Sequence, residues 1–110
     1  MSGWERRRER REAEAAERRR LFDEREGRVR RTLRSHGVTR AYLFGSMAKG
    51  TPRAESDVDI AVEGCEPEHF YRLAAELERV LGQELDLVDL GHAPPAFREL
   101  VVTGGRRLLP

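Results

Sequence analysis

The uneven distribution of apolar residues along the 110-residue chain limits what it can fold into. Between Glu5 and Arg20 the only apolar side chains are three alanines, whereas larger aliphatic and aromatic side chains recur from Leu21 to Leu109. A stretch without large apolar side chains contributes little to a hydrophobic core. The core must therefore come from the later residues, which are enough for one small domain.

The first segment is predicted to be a long charged helix. From Trp4 to Ser35 it has no proline and one glycine, and Arg, Glu and Ala of high helix propensity dominate. Its first half pairs opposite charges at three- and four-residue spacing, which indicates a solvated helix. Its second half has an apolar stripe that would pack on the domain: Leu21, Phe22, Val29 and Leu33. We expect residues 1–36 to contact a partner or a second copy, and residues 37–110 to form the main domain.

Short strands alternating with helices are predicted for the rest of the chain. Acidic and aliphatic residues alternate in two of the strands, as they do in half-buried strands. The predicted strands are 40–44, 57–62 and 84–90, and the predicted helices are 66–81 and 94–102. The fold class is therefore α/β (α+β), with a three- or four-stranded mixed sheet, helices on one face and the charged helix in front.

Charge and cysteine content exclude several classes of protein. The 21 basic and 20 acidic residues give a net charge of +1, which argues against direct nucleic-acid binding. Cys65 is the single cysteine, so an intramolecular disulfide is impossible. The first thirty residues lack a continuous apolar stretch, which excludes a secretory signal and a membrane span. We expect a cytoplasmic protein.

Three aspartates form a candidate metal site. Asp57 and Asp59 lie two residues apart on one strand, so their carboxylates share a face and repel each other unless a divalent cation lies between them. Such hard oxygen ligands suit Mg²⁺. Asp86 can add a third carboxylate from a neighbouring strand, and three acids can hold two metal ions on either side of a phosphoryl centre.

A Gly-Ser turn is a candidate phosphate site. Gly45-Ser46 ends the first strand, where backbone N–H groups and the Ser46 hydroxyl could meet phosphate oxygens. Lys49, the sole lysine, could meet a phosphate as a point charge. In isolation, alternating acids are more often the solvated face of an edge strand. Their combination with the glycine-serine turn favours the metal site, and the widely spaced histidines and Cys65 are assigned no role.

These motifs together resemble a known signature. Gly45-Ser46, ten residues and Asp57-Val58-Asp59, with Gly50 between them and Ser56 just before the acids, resemble the DNA polymerase β-like nucleotidyltransferase superfamily. The resemblance covers about residues 38–109. Its small size and the later Leu85-Asp86-Leu87-Val88 resemble the minimal nucleotidyltransferases, which often pair with a HEPN-domain protein as antitoxin and toxin.

The resemblance implies the polymerase β-like palm and a role for each motif. Asp57, Asp59 and Asp86 would be catalytic and bind Mg²⁺ in a two-metal site, and the segment from Gly45 would hold ATP. The nucleotide-binding residues would be Gly45, Ser46, Lys49 and Ser56. The implied reaction is transfer of AMP to a tyrosine hydroxyl of a HEPN toxin. Family members often carry Arg at one or both of the positions where this chain has Met47 and Lys49, so the positive charge would come from Lys49 or Arg53.

Two alternatives belong to other functional classes. The chain could be a non-catalytic binding module that neutralises a partner ribonuclease by occlusion through its charged helix and C-terminal segment. It could also transfer a nucleotide to a small molecule, but such enzymes usually carry an added acceptor-binding domain for which this chain is too short. The sequence leaves open whether a homo-oligomer forms.

Overall fold

The computed structural model describes residues 2–48 and 58–110, with only the backbone for Ser46 and Met47. Helices and strands alternate along it. The helices are α1 (Gly3–Ser35), α2 (Gly45–Ala48), α3 (Phe70–Leu81) and α4 (Pro95–Gly104). The strands are β1 (Arg40–Phe44), β2 (Val58–Glu63), β3 (Leu85–Asp89) and β4 (Arg106–Leu109). Short 3₁₀ turns cover Pro67–His69 and Leu90–His92.

The four strands form one mixed sheet in the order β3-β2-β1-β4. β1 pairs antiparallel with β2 and β4, and β2 pairs parallel with β3. A parallel pair needs a long crossover connection, which α3 supplies here. The predicted mixed sheet is confirmed, and the apolar, basic segment near Leu109 forms the fourth strand.

Helix α1 is solvated in its first half and packed in its second. Ser2 caps it, because the Ser2 hydroxyl accepts the Glu5 N–H and the Glu5 carboxylate accepts the Ser2 N–H, each at 3.4 Å. Phe22, Val29 and Leu33 are fully buried, as predicted for the second half. Within the described residues, no helix is both long and apolar enough to cross a membrane.

Helix α3 carries the apolar stripe that the sequence predicts. Leu73, Leu77 and Leu81 are all fully buried against the sheet and α1. Gly82 ends the helix in the left-handed conformation, with φ of 67°, and its N–H donates to the Glu78 carbonyl at 2.8 Å. The stripe fixes which side of α3 meets the sheet.

The two faces of the sheet are covered unequally. The larger core packs α1 and α3, the predicted covering helices, on one face of the sheet. On the other face a smaller cluster joins the sheet to α4 and the second 3₁₀ turn: Tyr42, Ala61, Leu90 and Val101, with Phe44, Val88 and Phe97 at its edge. The helix predicted at residues 94–102 is present as α4. It lies on this second face and not with the other helices on one face as predicted, because its Phe97 and Val101 pack in the smaller cluster.

Truncating Leu33 tests whether α1 belongs to the core. Leu33 is fully buried, so Leu33→Ala should lower the free energy of unfolding by about 2–5 kcal/mol. Leu100→Ala is the matched control, because Leu100 is also helical but 68% exposed and its loss should change stability by less than about 0.5 kcal/mol. Urea unfolding followed by circular dichroism measures both, and equal effects would contradict this core assignment.

A hydrogen bond between the C-terminal end of α1 and helix α3 should make stability depend on pH. His36 Nε2 lies 2.8 Å from Glu76 Oε2, and this hydrogen bond holds the pKa of Glu76 below its ordinary value. A lowered carboxyl pKa stabilises the fold above the unfolded-state pKa, and the contribution is lost as pH falls through the folded value. In Glu76→Gln, the loss of unfolding free energy on acidification should therefore become shallower than in the wild type. An unchanged slope would show that the pair contributes nothing measurable.

Candidate active site

The turn after β1 and Asp59 of β2 are in direct contact. Gly45 has a φ of 72°, a conformation that L side chains rarely adopt. A β-carbon at this position would lie 3.3 Å from Cγ of Asp59 and would collide with its Oδ2. Glycine at position 45 is therefore required twice, by the backbone conformation and by the carboxylate that lies against it.

Two of the predicted acids are neighbours across the sheet. Asp59 is aligned with Phe44 on β1 and with Asp86 on β3. Aligned residues on adjacent strands lie on the same face, with backbones about 4.8 Å apart. Asp59 is half-buried and Asp86 is exposed. The structure thus brings together Gly45, Asp59 and Asp86, which are widely separated in the sequence.

The remaining predicted site residues lie outside the described residues. These are Lys49, Ser56 and Asp57, together with the side chain of Ser46. The backbone of Ser46 is in α2, directly after Gly45. The roles of Lys49, Ser56, Asp57 and the Ser46 hydroxyl therefore remain predictions. Among residues 2–48 and 58–110, no cluster of three or more His, Cys, Asp or Glu side chains could hold a metal ion.

The carboxylate oxygens of Asp59 and Asp86 are suited to a divalent cation. Asp59 and Asp86 offer carboxylate oxygens from one face of two strands, and hard oxygen donors are what Mg²⁺ prefers. In the part of the chain that the structure describes, no hydrogen bond or ion pair engages Asp86. Carboxylates of aligned residues on adjacent strands repel each other, and a cation between them removes the repulsion. The pair is suited to binding a cation.

An aromatic pair beside the acids was not indicated by the sequence patterns, which place Phe44 only in the predicted strand 40–44. The rings of Phe44 and Phe97 meet edge to face, with centroids 5.6 Å apart. Since Phe44 is aligned with Asp59, this pair borders the site. No sequence signal could have found Phe97, because its position depends on how α4 packs on the sheet.

The surroundings of two other reactive side chains, Cys65 and Asp89, give them no catalytic role. Burial, then the charges of Asp89 and Glu66, raise the pKa of the Cys65 thiol, which makes it a poor nucleophile. Asp89 caps the second 3₁₀ turn, where its carboxylate accepts the Gly91 N–H at 2.9 Å and lies 2.7 Å from His92 Nδ1. Neither group faces the acid pair, because Asp89 is on the opposite face of β3 from Asp86.

Comparison with known families identifies the architecture. The sequence profile of the family described as Polymerase beta, Nucleotidyltransferase matches residues 28–110. The chain belongs to the polymerase β nucleotidyltransferase family. It is therefore a nucleotidyltransferase, an enzyme that uses a nucleotide substrate and a divalent metal ion. The match begins within α1, at the part of that helix that is packed on the domain.

Two relatives are named as protein adenylyltransferases. The chain is 38% identical over 73 residues to one designated MJ0435, from Methanocaldococcus jannaschii, which covers 64% of this chain and 78% of the relative. It is 41% identical over 70 residues to the protein adenylyltransferase MntA of Shewanella oneidensis, which covers 61% of this chain and 50% of MntA. The chain thus spans only half the length of MntA.

Solved structures share the fold. A protein described as a minimal nucleotidyltransferase superposes with a TM-score of 0.72 at 31% identity, covering 79% of this chain and 92% of that one. A complex of the Shewanella oneidensis MNT antitoxin with a tri-AMPylated HEPN toxin superposes with a TM-score of 0.61 at 32% identity, covering 78% of this chain and 70% of that one. The predicted polymerase β-like fold is confirmed.

Adding one methyl group at Gly45 should damage the site. Gly45→Ala forces an L side chain into a positive φ, which costs roughly 1–2 kcal/mol, and drives its β-carbon into Asp59. We expect nucleotidyl transfer from α-labelled ATP to fall at least about tenfold, which corresponds to 1.4 kcal/mol or more in the barrier. Gly27→Ala is the control, because a β-carbon there meets only Arg31 Nη1, at 3.9 Å, and transfer should be unchanged. Full activity of Gly45→Ala would contradict the role of this contact.

Proposed function

We propose that this chain is a protein adenylyltransferase that transfers AMP from ATP to a tyrosine hydroxyl of a HEPN-domain toxin, and so acts as its antitoxin. The observation that carries the proposal is the alignment of Asp59 with Asp86 beside Gly45, in a chain of the polymerase β nucleotidyltransferase family. The similarity to MntA and to the MNT antitoxin bound to an AMPylated HEPN toxin supports the choice of acceptor.

Magnesium is the metal we propose for this site, held by Asp57, Asp59 and Asp86 in a two-metal arrangement. When bound, such ions neutralise charge on the transferring phosphoryl group and lower the pKa of a coordinated hydroxyl. The oxygen-only donor set of Asp59 and Asp86 suits Mg²⁺ better than softer transition metals.

The chain's own residues would orient the two substrates. Gly45 and Ser46 would hold the β- and γ-phosphates through backbone N–H groups and the Ser46 hydroxyl, with Lys49 and Ser56 adding contacts. Asp86, which is exposed on the edge strand β3, would accept the proton of the acceptor hydroxyl. The acceptor oxygen then bonds to the α-phosphorus as the bond to the bridging oxygen breaks, and pyrophosphate leaves.

We also propose that the protein acts in the cytoplasm. We further propose that its two segments have different roles. Residues 37–110 would carry the chemistry and residues 1–36 would make contacts with other chains, while the second half of α1 also completes the core. The single thiol of Cys65 is compatible with a reducing compartment.

Neutralising single site carboxylates tests the chemistry. Asp59→Asn and Asp86→Asn keep the side-chain shape but remove the charge, so AMP transfer should fall by about 100-fold or more, as when other groups that stabilise developing charge are removed. Asp89→Asn is the matched control on the opposite face of β3, and its amide oxygen can still accept the Gly91 N–H. The assay incubates the chain and its variants with α-labelled ATP, Mg²⁺ and a purified HEPN-domain toxin, and follows both label on the toxin and its ribonuclease activity.

The same assay separates transfer from occlusion. If label and neutralisation are lost together in Asp59→Asn and Asp86→Asn but kept in Asp89→Asn, the chain neutralises by modification. Neutralisation that persists in the site variants would show that the chain acts as a binding module. Full transfer by either site variant would contradict the assignment of the acids.

A further inference from the structure

Residues 3–17 of α1, here called the arm, extend beyond the rest of the fold. The described hydrogen bond that lies nearest the arm joins α1 to the turn after α3, where the Arg18 carbonyl accepts from Nε2 of Gln83 at 3.2 Å. Arg25 follows, with Nη1 donating to the Val80 carbonyl at 3.2 Å. Ala15 is buried, and every other arm residue is exposed. A 33-residue helix is roughly 50 Å long, which matches the 51 Å longest dimension of the protein.

The charges of the arm are separated into two blocks. Residues 5–11, the tip, contain five arginines and two glutamates, whereas residues 12–17, the base, contain three glutamates and no arginine. The N-terminal end of a helix already carries positive potential from the backbone dipoles. Basic residues there therefore oppose the helix's own stability. An external negative group at the tip would be favoured by both sources of charge.

Ion pairs within the arm leave most of this charge separation in place. One ion pair links the blocks, from Arg8 Nε to Glu12 Oε1 at 3.2 Å, and both side chains remain more than 60% exposed. Exposed pairs of this type are worth about 0.3–0.5 kcal/mol. Glu17 instead pairs with Arg20, outside the arm. The arm therefore presents a positive tip and a negative base to other molecules.

We propose that the arm pairs antiparallel with the arm of a second copy of this chain. Pairing centred between residues 11 and 12 lays the positive tip of each arm on the negative base of the other, so both charge contacts are favourable. A parallel pair would instead place like charges together. The proposal concerns assembly and does not depend on the transfer reaction.

The length of the arm fits this register. Residue 3 of one copy comes opposite Arg20 of the other, close to the point where α1 enters its own fold at Arg18. Trp4, 57% exposed, comes opposite Arg19, which is also exposed. A guanidinium beside an indole ring adds a cation–π attraction. The pairing would therefore cover Trp4, the large exposed aromatic side chain at the N-terminal end of the arm.

Charge favours a second copy over a nucleic acid as the occupant. The arm has five arginines and five glutamates, so a uniformly negative backbone attracted to the tip is repelled by the base. A second copy of the arm offers opposite charges to both blocks. The arm of a second copy is thus a surface whose charges complement those of the arm.

A charge-swap experiment on the full chain tests the pairing. Arg10→Glu/Arg11→Glu reverses part of the tip, and Glu12→Arg/Glu14→Arg reverses part of the base. Sedimentation velocity gives the association state at roughly 50 mM and roughly 500 mM salt, since screening weakens exposed charge contacts, and emission of Trp4, the only tryptophan, reports on its burial. Arg28→Glu/Arg31→Glu is the control, because it makes the same charge change as the tip variant at exposed positions of α1 outside the arm.

The expected result is a wild-type dimer that weakens with salt. Each single-block variant should dimerise at least tenfold more weakly, whereas an equimolar mixture of the two, or one chain carrying all four changes, should regain wild-type association. That recovery also shows that the variants are folded. A wild-type monomer at every concentration, a dimer unaffected by either reversal, or a monomer whose arm binds single-stranded RNA would overturn the proposal.

Discussion

The contact between Gly45 and the Asp59 carboxylate is the constraint on which the site depends. β1 must end at a residue without a side chain, because the acid of β2 occupies the space that a β-carbon would need. The positive φ at Gly45 turns the chain away from the sheet at the same point. The turn where a phosphate would bind and the acid that would bind a metal are thereby fixed relative to each other.

The register of β2 places that acid on the correct face. Val58, Ile60 and Val62 are fully buried under α1 and α3, so Asp59 between them must face the other side. A slip by one residue would put a carboxylate in the larger core, at a cost of several kcal/mol. The apolar core therefore determines the position of the acid without touching it.

Much of this arrangement follows from local patterns in the sequence. The helical stripe of Leu73, Leu77 and Leu81 and the alternation around Asp59 and Asp86 predict their elements because both repeats match the geometry of the backbone. The spacing of the glycine-serine turn and the acids indicates the family. These signals need only neighbouring residues, so they are readable without a structure.

Contacts between distant residues could not be predicted in this way. The closeness of Asp59 to Gly45, the ring of Phe97 beside Phe44 and the pairing of β4 with β1 each depend on the packing of separate elements. Periodicity shows which side of an element is apolar, but it does not show which element covers it. This is why α4 on the second face was not expected.

The parallel pairing of β2 with β3 also makes the acid pair depend on a crossover of the chain. Phe44 and Asp59 belong to consecutive antiparallel strands, whereas Asp86 reaches Asp59 only after α3 has crossed over the sheet. Contacts between more distant residues carry a larger loop-closure cost. A chain that has paired only β1 and β2 holds Gly45 against Asp59 but lacks Asp86. The complete acid pair therefore exists only in molecules in which the chain has crossed over the sheet and β3 has paired with β2.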